Sequence, residues 1–210
     1  MTVKPFHLTE RILPIVVLEK ASDAIPLAKA VLDAGLNMIE ITLRSAAAFE
    51  GIANICRQFP DMVVGAGTVI DVDSVSRIID LGVSFAVSPG LNEAVVAACQ
   101  ARQLAHIPGV VTPSEFERGR ALGLEYLKFF PAEAAGGAKY LNALAGPFAH
   151  TGLKVVPTGG IDATKLCDYL KIPMVAAVGG SWFVDRKLIA AGNWAEITRL
   201  TRYALELSRK

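Results

Sequence analysis

The stretch Gly123-Leu124-Glu125-Tyr126-Leu127-Lys128-Phe129-Phe130-Pro131-Ala132-Glu133-Ala134-Ala135-Gly136 sets the pattern from which the rest of the chain is read. Its middle, residues 126–130, is a short run of aromatic and aliphatic side chains around one cation, the composition of a buried strand. Pro131 offers no N–H to a ladder and stops the strand, and small residues then lead into a helix expected over residues 138–144. The same strand–loop–helix unit recurs on both sides. Earlier strands are expected at residues 13–18, 38–43, 62–66, 84–88 and 104–107, and later ones at 154–157 and 173–178. The helices between them span residues 22–34, ended by Gly35, then 46–59 before Pro60, one capped by Asp71, and 92–102. Thr112-Pro113-Ser114-Glu115 opens the next with an N-cap, a proline at the first position and a capping-box glutamate, and Asp162 begins another. Near the C-terminus Trp194, Ile197, Thr201, Ala204 and Leu205 recur on one helical face.

Eight such units without a linker predict a parallel sheet covered by helices, and eight strands close a (β/α)8 TIM barrel, here one domain over residues 1–210. An open doubly wound sheet is disfavoured, because Leu18-Glu19-Lys20-Ala21 follows the first strand where a G-x-G-x-x-G would stand. At 210 residues, 52% hydrophobic and 20% charged, the chain has the make-up of a compact core-forming protein. A net charge of +1 leaves no electrostatic footprint for nucleic acid or an anionic membrane. No apolar run approaches the ~18 residues of a membrane span, and residues 1–10 lack a secretory-signal pattern, so a cytoplasmic location is expected. Cys56, Cys99 and Cys167 are far apart and lack a C-x-x-C spacing, so they read as reduced thiols. His7, His106 and His150 have no ligand-like spacing and read as core or surface residues, so no metal is expected.

In a barrel, chemistry gathers at the C-terminal ends of the strands. Lys128 lies there on strand six. It is either an edge-strand lysine reaching for water or an enclosed amine, and an enclosed amine sheds its proton more readily and can attack a carbonyl to form a Schiff base. On strand two, Glu40, Thr42 and Arg44 share one face by the two-residue period. Glu40 and Arg44 would be a structural ion pair, or else a proton-transfer group and an anion clamp. Gly65-Ala66-Gly67-Thr68 ends strand three, with glycines that let backbone approach a ligand and a hydroxyl on Thr68. Ser88-Pro89-Gly90 is a rigid turn after strand four. Thr158-Gly159-Gly160-Ile161 and Val178-Gly179-Gly180-Ser181 end strands seven and eight, and paired glycines ahead of helix N-termini suit a phosphate.

Two of these motifs together make the chain resemble the bacterial 2-keto-3-deoxy-6-phosphogluconate (KDPG) and 4-hydroxy-2-oxoglutarate (KHG) aldolases. They are Gly35-Leu36-Asn37-Met38-Ile39-Glu40-Ile41-Thr42-Leu43-Arg44 and the opening stretch with Gly123, Lys128, Phe129-Phe130-Pro131 and Gly136. The resemblance runs from about Ile12 to Ile197 and implies a class I aldolase that needs no metal and no cofactor. It implies that Lys128 forms the Schiff base and Glu40 is the general acid/base. Arg44 and Thr68 would hold the pyruvate carboxylate, with Pro89 and Phe130 lining that pocket, while Thr158, Gly159, Gly160, Gly180 and Ser181 would surround the distal phosphate. The implied substrate is a phosphorylated keto acid cleaved to pyruvate, and the implied assembly is a homotrimer. On the residues alone, two rivals remain: a phosphosugar isomerase or epimerase using Glu40 without an imine, and a barrel that only binds phosphometabolites.

Overall fold

A computed structural model of the protein describes residues 6–209. Of the residues read for a secretory signal, 1–5 lie outside the described residues, and so does 210. Strands β1 (Ile12–Val16), β2 (Met38–Thr42), β3 (Val63–Gly67), β4 (Phe85–Val87) and β5 (Ala105–Ile107) alternate with helices α1 (Ala24–Asp33), α2 (Ala48–Gln58), α3 (Val72–Asp80) and α4 (Glu93–Ala101). After β6 (Gly109–Val110) come α5 (Pro113–Ala121), β7 (Tyr126–Phe129), α6 (Gly137–Phe148) and β8 (Lys154–Pro157). The chain closes with α7 (Leu166–Leu170), β9 (Val178–Gly180), α8 (Arg186–Ala190) and α9 (Trp194–Ser208).

Local signals read from the sequence form as expected. Asp71 accepts the Ser74 N–H at 2.7 Å, and Glu115 accepts the Thr112 N–H at 2.7 Å to complete the capping box. Gly35 takes φ +94 at the end of α1, a backbone state that a side chain would strain. Every residue of β1, β2 and β7 is buried, as parallel strands covered on both faces must be. On β7, Leu127 packs onto Gly119 of α5 and Phe129 stacks on Tyr140 of α6 at 6.0 Å. Leu127 and Phe129 thus face the helices, and by alternation Lys128 faces the other way, into the curl of the sheet.

Pairing is parallel throughout, but the ladder runs as two sheets instead of the single ring of eight expected. Six strands in the order β5-β4-β3-β2-β1-β9 curl into a half-barrel, and β6-β7-β8 form a separate three-stranded sheet. Single bridges, Thr158↔Gly179 and Val155↔Val175, link the two at one side. At the other side Pro108, with no N–H to give, splits the fifth strand into β5 and β6. The eighth strand also moves. Residues 173 and 174 turn, with Val175 donating back to Ile172 O at 2.9 Å and bridging only to Val155 of β8, and regular pairing begins at Val178. Helix α6 runs to Phe148, beyond the expected 144, and carries Pro147 inside it. Asp162 does not begin its helix but caps a turn by accepting the Thr164 N–H at 2.9 Å, and α7 starts at Leu166.

Candidate active site

Among the described residues Glu40 and Lys128 are the buried carboxyl and the buried amine, 1% and 7% exposed, in a core that is mostly aliphatic and aromatic. Burying either without a partner is costly, so their shared location needs explaining. Lys128 lines a cavity of about 250 Å³ at the C-terminal ends of the strands. It is lined by Thr42, Arg44, Thr68, Pro89, Lys128, Phe130, Thr158, Gly159, Gly160, Gly180 and Ser181 together with Ile15, Ile161 and Gly179. Glu40 sits beneath that lining, in register with Ile15 and Gly65. The structure therefore brings the expected lining residues, from the ends of six strands and their loops, around one space, with Glu40 below it.

Lys128 is not the edge-strand lysine considered above, because β7 is the central strand of its sheet. Its Nζ lies over the Phe130 ring, 4.9 Å from the centroid, and makes no hydrogen bond or ion pair with another described residue. Glu40 forms no ion pair with Arg44, which rules out the structural pair. Neither carboxyl oxygen of Glu40 has a hydrogen-bond partner among the described residues. Burial pushes the Glu40 carboxyl above its usual range, and the charges of Lys128 and then Arg44 pull it partly back. A carboxyl so placed holds its proton to higher pH than a free one and can exchange it with a group bound beside Lys128.

Arg44 is anchored by one bond, Nε donating to Thr42 Oγ1 at 3.3 Å, while Thr42 Oγ1 donates to Val16 O at 2.9 Å. The guanidinium is turned to the cavity without a carboxylate partner among the described residues, the state of a clamp for an incoming anion. The two interior glycines of β3 serve differently from what the sequence led us to expect. A Cβ on Gly65 would collide with the Phe85 ring, and one on Gly67 with Glu40 Oε1, so these glycines make room for side chains and not for a ligand. Thr68, next along, has φ 62. A β-branched residue in that region costs ~1–3 kcal/mol and persists only where its surroundings enforce it.

Across the cavity Gly159 and Gly160 have φ +106 and +77, reachable at little cost only by glycine. The N–H groups of Gly160 and Ser181 have no backbone acceptor among the described residues outside the strand ladders. The helices that follow do not contribute as expected: α7 and α8 have five residues each and start at Leu166 and Arg186, well past the glycines. Positive potential here comes from the backbone amides and not from a helix N-terminus. Behind the turn stands a network with no sequence signal. Lys165 donates to Gly160 O at 3.1 Å and pairs with Glu133 at 2.9 Å, and Tyr169 OH donates to Glu133 at 2.6 Å. Away from the cavity Lys154 pairs with Glu125 at 3.3 Å, and Trp182 packs edge-on to Phe183 and Tyr203.

A family model of KDPG and KHG aldolases matches residues 5–200. The chain belongs to the KDPG and KHG aldolase family. Among family members, a 2-dehydro-3-deoxy-phosphogluconate aldolase of Haemophilus influenzae is 43% identical over 197 residues, 94% of this chain and 92% of that protein. A KHG/KDPG aldolase of Escherichia coli is 40% identical over 198 residues, 94% and 92% of the two chains. The solved KDPG aldolase of Legionella pneumophila superposes with a TM-score of 0.90 at 38% identity, covering 93% of this chain and 94% of that one. In that structure pyruvate is captured as a covalent carbinolamine intermediate. No helix among the described residues of this family member is long and apolar enough to cross a membrane.

Proposed function

We propose that the protein is a class I aldolase that cleaves KDPG to pyruvate and D-glyceraldehyde 3-phosphate, and 4-hydroxy-2-oxoglutarate to pyruvate and glyoxylate. The observation that carries this is an enclosed amine, Lys128, lining the cavity with the buried carboxyl of Glu40 beneath it and within reach of its charge. An isomerase would need the carboxyl but not the amine, and a sensor would need neither. We further take the two sheets as the halves of one (β/α)8 barrel in which β5 and β6 count as a single strand, spanning residues 1–210. A homotrimer in the cytoplasm is part of the same proposal, on the family resemblance.

The chemistry follows from the parts. Lys128 Nζ adds to the C2 carbonyl, and Glu40 protonates the oxygen to give a carbinolamine, from which water leaves as the imine forms. The protonated imine draws the C3–C4 bonding pair into an enamine while Glu40 takes the C4 hydroxyl proton, and the aldehyde departs. Protonation of the enamine at C3 and hydrolysis of the imine release pyruvate and the free amine. Arg44 and Thr68 hold the carboxylate so that C2 faces the amine, with Pro89 and Phe130 closing that end. Thr158, Gly159, Gly160, Gly180 and Ser181 hold the phosphate, whose distance from the breaking bond makes it a source of remote binding energy. This chemistry uses neither metal nor cofactor.

A coupled pyruvate-release assay on both substrates tests the proposal, and no turnover of either would overturn it. In the same assay Arg44→Lys, which keeps the charge but loses the bidentate fork, is expected to raise KM ~10–100-fold with a smaller change in kcat. Gly67→Ala adds only a methyl group, yet it must push the Glu40 carboxyl aside. We expect kcat/KM to fall ~100-fold, the cost of about 1 Å of misplacement, while the melting temperature shows the chain still folded. A Gly67→Ala variant with wild-type kcat/KM would refute the role given to Glu40.

A further inference from the structure

The one buried histidine, His106 on β5, has no part in the chemistry above, yet it reaches the site through one intermediary. His106 is 6% exposed and Ser88, just past β4, 2%. Ala86 is in register with His106, so Ser88 stands two residues further along on the same face. Ser88 Oγ lies 2.5 Å from the Val69 carbonyl oxygen and 2.7 Å from His106 Nε2. A hydroxyl has one proton and a carbonyl can only accept, so both bonds form together in one way. Ser88 donates to Val69 O, and His106 Nε2 bears the N–H that donates to Ser88 Oγ. Nδ1 is then a bare lone pair, and it is buried with no partner among the described residues. Burial lowers the imidazole to about 4, in keeping with a neutral ring in that tautomer.

What this chain of bonds holds is the cavity wall. Val69 follows Thr68, whose left-handed backbone needs outside enforcement. Both polar backbone atoms of Val69 are tied to the end of β4: its N–H donates to Val87 O at 3.0 Å, and its carbonyl accepts from Ser88. Ser88 is fixed in turn, its N–H donating to Ile107 O at 3.2 Å. Pro89 carries its carbonyl against Gly109, where no Cβ would fit. Thr68 and Pro89 both line the cavity.

We propose that Ser88 and His106 are positioning residues: His106 locks the Ser88 hydroxyl onto the Val69 carbonyl, and this sets Thr68 and Pro89 against the carboxylate end of the keto acid. The identity of the ligand rests on the aldolase proposal; the clamp itself does not. The test uses Ser88→Ala, His106→Leu and His106→Gln, since glutamine keeps an N–H donor. Pyruvate release and borohydride trapping of pyruvate are measured alongside hydrogen exchange at the Val69 amide. Ser88→Ala and His106→Leu are expected to raise KM, and the pyruvate concentration for half-maximal trapping, about tenfold, or ~1.4 kcal/mol, with kcat within about threefold. His106→Gln should return KM to within about threefold of wild type, which a loss of packing alone would not predict. Exchange at the Val69 amide should quicken in Ser88→Ala without any ligand. A wild-type KM in folded Ser88→Ala, a glutamine variant no better than the leucine one, or unchanged Val69 exchange would each overturn the clamp. If His106→Leu does not fold, Ser88→Ala decides, because it removes one oxygen only. Should the wild type itself trap no pyruvate, the aldolase proposal fails, and the exchange measurement still decides the clamp.

Discussion

Lys128→Ala is expected to abolish the reaction: no covalent adduct on incubation with pyruvate and borohydride, and cleavage of either substrate down by at least ~10⁴-fold, or about 5.5 kcal/mol of barrier. The size follows from the role. Without the amine there is no imine and no electron sink for the C3–C4 bonding pair, and no other described lysine lines the cavity to take its place. The same variant should fold, because the removed group makes no hydrogen bond or ion pair among the described residues and its burial was a cost. Mass spectrometry of the trapped wild-type protein should put the pyruvyl increment on the peptide containing Lys128. An adduct on another lysine, or turnover surviving in Lys128→Ala, would end the Schiff-base mechanism.

The second large effect belongs to Glu40→Gln. Removing the proton carrier should lower kcat by ~10²–10⁴-fold while leaving slow trapping of pyruvate at Lys128 intact. It should also make the protein more stable at neutral pH. Burial raises the folded-state value of Glu40 above the ordinary carboxyl value of 4.5. Below that ordinary value the group is protonated whether the chain is folded or not, and no penalty arises. As pH climbs past it and through the raised folded value, the folded protein must ionise a buried carboxyl and loses stability that the amide variant keeps. The two proteins should therefore melt together at pH 4 and separate by pH 8, with Glu40→Gln about 2–4 °C higher if the difference is ~1 kcal/mol. Equal melting temperatures at both pH values would mean that the carboxyl is not held out of water as described.

Much of this site could be read before any coordinates because its residues advertise themselves by misfit. A lysine among Tyr126, Leu127, Phe129 and Phe130, or a glutamate inside Met38-Ile39-Glu40-Ile41, breaks an apolar pattern, and strand periodicity then assigns its direction. Paired glycines at Gly159-Gly160 announce a backbone that side chains cannot adopt. What stayed hidden has other causes. Ser88 and His106 are eighteen residues apart, and neither type is out of place beside a strand. Only the register of β4 and β5 brings them together, and register is not written in either segment alone. The left-handed state of Thr68 is imposed by neighbours against its own preference, so its sequence argues for the opposite. The ladder break at Pro108 was available in principle, but apolar content on both sides masked it. The expected eighth strand starts late for a similar reason, since residues 173–177 are apolar enough for a strand while the backbone turns at 173–174 and meets β8 only in the bridge at Val175.

The division of the ladder into two sheets has a consequence for how the protein would respond to its substrate. Lys128 rides on the smaller sheet, whereas Glu40, Arg44 and Thr68 ride on the larger, and only isolated bridges stitch the pair along one flank. A keto acid bonded covalently to the amine and gripped at its carboxylate by the guanidinium would act as a rivet between the two pieces. Catalysis and cohesion would then rise and fall together through each turnover, the molecule tightening as the imine forms and slackening as pyruvate leaves.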